Sequence, residues 1–196
     1  MIKVKELIYI IVEWIKKYKI IISSMIISAV AIICTIQLFA CNKEAKKYET
    51  AGTQIAEMLQ NIIKHYQASP SYWGLSSSEV IDKKLYTENM SIKNGKIIGY
   101  FGNIVEVGAD NNGSMVMPTS KNFVIAYNGL NKKQCIGLGS HKFNKDFWFK
   151  VNKITIKNDI NNQDFLWGAK DHELPITREK LENLCQNNNN SVIIHF

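Results

Sequence analysis

The chain has 196 residues, of which 46% are hydrophobic and 21% charged, and its formal net charge is +7. This length suffices for one domain with a single sizeable core beside an apolar N-terminal segment. The positive charge is spread along the chain, whereas nucleic-acid binders usually concentrate it on one element. The composition therefore argues against a protein whose main partner is DNA or RNA.

The segment 20–41 is mostly apolar and contains no charged side chain. About 20 such residues cross a bilayer as a helix, so the segment predicts a transmembrane helix. Five lysines and two glutamates precede it in residues 1–19, which we interpret as a cytoplasmic leader or an interfacial segment. Because positive charge is retained on the cytoplasmic side, we expect a single-pass protein with an exported head.

The helix is predicted to continue through residues 42–67, which contain no Pro and a single Gly. That residue, Gly52, is expected to weaken the helix by about 1 kcal/mol relative to Ala. Apolar residues recur at helical spacing and predict a helix packing face, against the chain's own head or against copies of the helix. This face consists of Tyr48, Ile55, Leu59, Ile62 and Tyr66.

The head is predicted to span residues 68–196 and to begin with an irregular stretch. A short helix follows, with Ser76 as its N-cap and Glu79 reaching back in a capping box, and it runs to about Tyr86. The sequence Asp110-Asn111-Asn112-Gly113 predicts a hairpin turn, because Asn-Gly tolerates positive φ. Further predicted elements are strands at 96–101, 103–107, 122–127, 147–156 and 191–196, and helices at 131–138 and 176–185.

This order of elements predicts an α+β fold class. The long N-terminal helix is expected to pack on a mainly antiparallel sheet, because the predicted strands are linked by hairpins and the predicted helices stand apart from them in the sequence.

Two of the four cysteines, Cys135 and Cys185, lie in the predicted head. In an exported domain we expect them to pair with each other, and two free buried thiols are the alternative. The bridge would close a loop of about 50 residues and contribute roughly 4 kcal/mol on the chain-entropy model. Cys34 lies inside the apolar segment and Cys41 at its outer edge.

Three groups of local motifs follow one another along the head. They are Ser71-Tyr72-Trp73-Gly74-Leu75, the stretch 122–130 followed by Gln134-Cys135-Ile136-Gly137-Leu138, and Leu184-Cys185 followed by Val192-Ile193-Ile194-His195-Phe196. Similar motifs occur in this order in type IVb pilins, and the chain resembles that family over residues 42–196.

The resemblance implies a structural subunit and not an enzyme. In such pilins the long helix anchors the protomer in the bacterial inner membrane and then packs with its neighbours in the filament, while the head faces the periplasm and later the cell surface. The expected partners are other pilin subunits, the pilus assembly platform and the lipid bilayer, with nucleic acid added only if the system takes up DNA. The family's disulfide corresponds to Cys135–Cys185, and no cofactor or metal is expected.

The chain also departs from the family pattern. Family precursors carry a Gly before the processing site and a Glu shortly after it, but this chain has no Gly before Gly52 and no acid between Lys19 and Glu44. Glu13 would correspond to the family's Glu only if the chain were cleaved between Ile8 and Tyr9. These departures favour a minor or divergent pilin, or a permanently anchored protein, in a system that serves adhesion, conjugation, secretion or DNA uptake.

The main alternative is a lipoprotein. Leu38-Phe39-Ala40-Cys41 resembles the end of a lipoprotein signal peptide, in which Cys41 would be acylated. Catalysis has weaker support, because the four histidines are scattered and no known nucleophile or phosphate-binding motif is present. We therefore predict no catalytic residue.

Overall fold

The computed structural model describes residues 4–110, 120–141 and 150–196. Within the first helix, the side chains of residues 4, 5, 20–22, 24, 26, 27, 40, 41, 44 and 45 are not among those described. The chain divides into two compact units, Met1–Glu44 and Ala45–Phe196. The predicted boundaries at residues 19, 41 and 67 are a finer division and stay predictions.

The first helix, α1, spans Val4–His65 and therefore begins well before the predicted start at Ile20. Residues of the predicted leader thus belong to the same helix as the apolar segment. The helix ends two residues before the predicted Gln67, in turns closed by hydrogen bonds from Gln67 N to Lys64 O and from Ser69 N to Tyr66 O. None of the helices in the described part of the chain combines the length and the apolar composition that a membrane span requires.

Three short helices and seven strands follow within the described residues. The helices are α2 (Ser77–Asp82), α3 (Lys132–Gly139) and α4 (Arg178–Leu184). The strands are β1 (Ser91–Lys93), β2 (Lys96–Ile98), β3 (Ile104–Ala109), β4 (Phe123–Leu130), β5 (Lys153–Lys157), β6 (Asn162–Leu166) and β7 (Asn190–His195). They form one antiparallel sheet in the order β1-β2-β3-β4-β7-β5-β6. The predicted α+β class, with a helix and an antiparallel sheet, is confirmed.

Local signals explain where the helices begin. The hydroxyl of Ser76 accepts a hydrogen bond from Glu79 N at 3.3 Å and caps α2 as predicted. This helix ends at Asp82, earlier than the predicted Tyr86, and Lys84 adopts a φ of 54° that a helix cannot continue. At α3, Asn131 and Gln134 form a reciprocal capping box.

The first hairpin was not predicted. β1 and β2 pair across Asn94-Gly95, whose φ angles of 52° and 71° fit a type I′ turn. The predicted strand 96–101 stops at Ile98, because Gly99 N donates to Asn103 O and Gly102 N to Gly99 O in a turn.

The later strands also differ in their bounds from the predicted ones. β4 extends past the predicted residue 127 through a register shift between Tyr127 and Leu130, which contains Gly129 at a φ of 69°. β5 begins at Lys153, later than the predicted start at residue 147, and residues 147–149 lie outside the described residues. Residues 111–113 of the predicted hairpin turn also lie outside them. β6, at the edge of the sheet, was not predicted.

The core of the second unit lies between the C-terminal part of α1 and one face of the sheet. Alternating residues of the two central strands face it, as expected for a sheet with one buried face. They are Ile125 and Tyr127 on β4 and Val192 and Ile194 on β7, all buried. Ile154 and Ile156 of β5 extend this face toward the edge.

Candidate functional site: the helix packing face and the disulfide region

The predicted helix packing face lies against the sheet of its own unit. Ile55, Leu59 and Ile62 are at most 2% exposed, while Tyr48 and Tyr66 at its two ends are half-buried. The buried face is also broader than predicted, since Met58 and Gln54 belong to it and Ala51 is fully covered. Whether copies of the helix also use this face stays a prediction.

Gln54 is a polar residue inside this apolar face, and its side chain makes three hydrogen bonds, to the segment before β1, to the turn after β2 and to β4. Its Nε2 donates to Asn89 O at 2.8 Å, while its Oε1 accepts from Tyr100 N at 2.9 Å and from the Tyr127 hydroxyl at 3.1 Å. Burial raises the pKa of Tyr127, so this hydroxyl stays a donor at all physiological pH values. Gln54 therefore fixes the rotation of α1 relative to strands β1–β4, a role that hydrophobic periodicity alone does not reveal.

Two glycines allow α1 and α3 to approach closely. A Cβ at Gly52 would collide with the ring of His141, and one at Gly137 would collide with the ring of Tyr48. The interpretation of Gly52 as only a weak point of the helix is therefore incomplete, because its missing side chain makes room for His141. Burial lowers the pKa of His141, and the charge of Glu49 opposes that shift in part.

The disulfide joins α3 to the end of α4. Cys135 and Cys185 are both buried, with an S–S distance of 2.00 Å and a Cα–Cα distance of 6.0 Å. Beside it, the fully buried Asn190 donates to Leu130 O at 2.9 Å and to Gln186 O at 2.8 Å and accepts from Gln186 N at 2.7 Å. The Asn-rich turn before β7 is thus held by specific side-chain hydrogen bonds as well as by the covalent bridge.

In the first unit, apolar side chains of α1 are exposed all around the helix. Trp14 stacks on Tyr18 with ring centroids 5.7 Å apart. Cys34 is exposed and takes no part in a disulfide, and the side chain of the predicted lipidation site Cys41 is not among those described. The exposed apolar residues in the segment 20–41 include Met25, Val30, Ile32, Ile33, Ile36, Leu38 and Phe39.

The histidines that the structure describes do not gather into a site. His65 contacts Tyr66, His172 contacts Phe165, and His141 lies at Gly52. Among the described residues, no group of three or more His, Cys, Asp and Glu side chains could hold a metal ion.

One histidine lies in an arrangement that resembles a catalytic triad. His195 lies between Asp110, at 2.7 Å, and the hydroxyl of Thr155, at 3.0 Å. However, Thr155 is only 5% exposed and its hydroxyl donates to Asp164, so it is neither accessible nor available as a nucleophile.

Comparisons with known proteins agree with this architecture. The chain shares its fold with TcpA, a type IV pilin from Vibrio cholerae El Tor biotype, at a TM-score of 0.51 and 12% identity over 77% of this chain and 99% of that one. The type IV b pilin from Salmonella typhi gives a TM-score of 0.50 and 16% identity over 78% of this chain and 97% of that one. No curated protein matches the chain in sequence.

A family model is more specific than these shared folds. The model described as PilS N terminal matches residues 45–196, which is the whole of the second compact unit. The chain therefore belongs to the PilS N-terminal family of type IVb pilins, which are structural subunits and not enzymes.

Proposed function

We propose that this chain is a minor or divergent type IVb pilin subunit, anchored in the bacterial inner membrane by a single helix over residues 20–41. Its head, residues 68–196, faces the periplasm, and the subunit assembles with other pilins into a pilus or a pilus-like machine. Residues 42–67 connect the two and pack against the head.

The exposed apolar residues of α1 are the observation that carries this proposal. Side chains such as Val30, Ile32 and Leu38 are exposed on different sides of the helix, and a helix that is apolar all around needs lipid or other helices around it. When the subunit leaves the membrane and enters a filament, the lipid around this helix is replaced by the helices of other subunits. Growth of a filament then needs a head-to-tail contact that does not close into a ring.

Two features of the sequence favour a minor or permanently anchored subunit over a major one. The chain has no Gly before Gly52 to precede a processing site, and no acidic residue between Lys19 and Glu44. Without this Gly and this acidic residue, both cleavage of the precursor and ordered packing of many copies would be less efficient.

The intact mass and N-terminal sequence of the protein from membranes of its native host test the anchoring mode. An uncleaved chain, or one that begins near Tyr9 or around Ser24–Met25 without lipid, supports the pilin proposal. A chain that begins at Cys41 with added acyl mass would overturn the transmembrane anchor and establish the lipoprotein alternative. Cys41→Ser is the matched variant, since it abolishes acylation but leaves a transmembrane helix intact, and Cys34→Ser is its control.

Assembly is tested separately by co-purification. We expect the tagged full chain to be recovered with sheared pili or with the assembly platform after mild detergent extraction. Recovery from the membrane without any other pilin or platform protein would contradict the assembly part of the proposal but not the anchor.

A further inference from the structure

Residues 6–19 of α1 have a polar and an apolar side, unlike the segment 20–41 that follows them. With about 3.6 residues per turn, their charged side chains Glu6, Glu13, Lys16 and Lys17 lie within an arc of about 100°. The opposite side carries a groove lined by Ile10, Ile11, Trp14, Ile15, Tyr18 and Lys19. The five hydrophobic residues of this groove are each at least 49% exposed, so no other part of the described chain covers them.

The length of the apolar segment restricts where this groove can lie. As a helix, residues 20–41 rise by about 33 Å, which already fills a hydrocarbon core of about 30 Å. Residues 6–19 therefore have no room in that core along the same axis. They either stand in water with the groove uncovered, or lie at the membrane surface with the groove against lipid. Burial of the apolar groove favours the second position.

The side chains next to the apolar segment match a lipid surface of negative charge. Lys16, Lys17 and Lys19 are exposed there, and Glu13 is the only acidic residue among residues 13–19. Trp14 stacks on Tyr18 at the same end. Such rings have an apolar body and a polar tip and are typical of the headgroup level, where lysines extend their ammonium groups toward the headgroups.

We propose that residues 6–19 form an amphipathic helix at the membrane surface, with the groove against the acyl chains and Lys16, Lys17 and Lys19 bound to anionic phospholipid headgroups. This inference rests on the proposed membrane anchor, residues 20–41. Both segments belong to α1, so α1 must bend next to Lys19 when it enters a bilayer. Water and headgroups at that depth bind the backbone groups that a bend frees. A helix of another protein would also cover the groove, but it gives no reason for lysines and aromatic rings to gather beside the apolar segment.

The test places single nitroxide labels on the purified full chain, with Cys34→Ser and Cys41→Ser, in nanodiscs that contain phosphatidylglycerol. Ile10→Cys and Ile15→Cys label the groove, Glu6→Cys and Glu13→Cys label the polar stripe, and Val30→Cys labels the apolar segment. Relaxation by oxygen reports hydrocarbon, and relaxation by a soluble nickel chelate reports water. We expect the oxygen-to-nickel ratio to be severalfold higher at the two groove positions than at the two stripe positions.

Three other results would overturn the surface helix. A low ratio at all four positions would mean that the segment stands in water, and a high ratio at all four would mean that it is inserted in the core. Groove positions that neither reagent reaches would mean that a second copy covers them. Failure of the anchor is seen separately, as a low ratio at Val30→Cys.

The lipid charge is tested by removing the lysines. In nanodiscs of phosphatidylcholine alone, we expect the wild-type contrast between groove and stripe to fall severalfold. The variant Lys16→Gln/Lys17→Gln/Lys19→Gln should show the low contrast in both lipids. Its matched control is Lys43→Gln/Lys46→Gln/Lys47→Gln, which removes the same charge beyond the other end of the apolar segment and should behave like the wild type. A contrast that is independent of phosphatidylglycerol in the wild type would refute the binding of anionic headgroups.

Discussion

Tyr127 is fixed at the centre of the core, and its ring leaves no room for a side chain at Gly99. A Cβ at Gly99 would lie 2.6 Å from Tyr127 Cε1, and the ring cannot retreat because it is fully buried and bonded to Gln54. We expect Gly99→Ala to lower the free energy of unfolding by about 1–3 kcal/mol in urea titrations. Gly108→Ala is the matched control, since a Cβ there meets no atom within 4 Å. Equal stability of the two variants would contradict the close approach.

The lowered pKa of His141 leads to a second prediction at the scale of single residues. Because burial lowers its pKa below the ordinary value of 6.5, the folded protein holds a neutral ring that the unfolded chain protonates more readily. Its contribution to stability is complete above pH 6.5 and is lost as the pH falls below that value. We expect His141→Gln to show a smaller loss of thermal stability than the wild type between pH 7.5 and pH 5.0. An unchanged pH profile would assign this acid sensitivity to other groups.

At the scale of elements, the bridge between α3 and α4 supports the C-terminal third of the sheet. The two cysteines are 50 residues apart in sequence, and a loop of this length is stabilised by about 4 kcal/mol on the chain-entropy model. The double variant Cys135→Ala/Cys185→Ala should therefore unfold at a markedly lower urea concentration. Cys34→Ala, which removes an exposed thiol outside the bridge, should leave the transition unchanged. A double variant as stable as the wild type would mean that hydrogen bonds such as those of Asn190 suffice.

Elements with strong local sequence signals could be predicted from the sequence. Elements that form only because they pair with a neighbouring strand could not. Ser76 and Asn131 mark helix starts because their side chains cap backbone N–H groups within three residues. β6 contains Asn162, Gln163 and Asp164 and has no clear apolar alternation, so that only its pairing with β5 makes it a strand. β1 is three residues long and depends on the turn at Asn94-Gly95, a dipeptide that favours a hairpin in any sequence.

The same distinction applies to the candidate site. Ile55, Leu59 and Ile62 could be chosen from helical spacing, because one face of an amphipathic helix is visible in the sequence. The structural roles of Gln54 and Asn190 could not be predicted. Their side chains bind carbonyl and hydroxyl groups that are distant in the chain and come close only in the folded protein. The contact between His195 and Asp110 is hidden for the same reason, because the two residues are 85 positions apart in the chain.

At the scale of the whole molecule, the two compact units differ in what covers their apolar residues. In Ala45–Phe196 the apolar face of α1 is buried by the sheet, and this is the part that the pilin family shares. In Met1–Glu44 the large apolar side chains of the same helix that the structure describes, such as Ile11, Ile33 and Phe39, are exposed. A substitution in the first unit should therefore alter the environment that the proposed subunit enters and leave the stability of the head unchanged.

Val30 lies near the middle of the apolar segment, is 53% exposed, and allows this expectation to be tested. An arginine at the centre of a membrane helix costs about 2.5–3.5 kcal/mol on insertion scales. We expect Val30→Arg to reduce the fraction of protein that resists alkaline extraction from membranes and to abolish recovery with pili. Val30→Leu should match the wild type in both assays, and all three proteins should share one thermal midpoint for the head. A Val30→Arg protein that stays in the membrane and still enters pili would show that residues 20–41 do not form the anchor, whereas a lowered midpoint would show that this segment also supports the head.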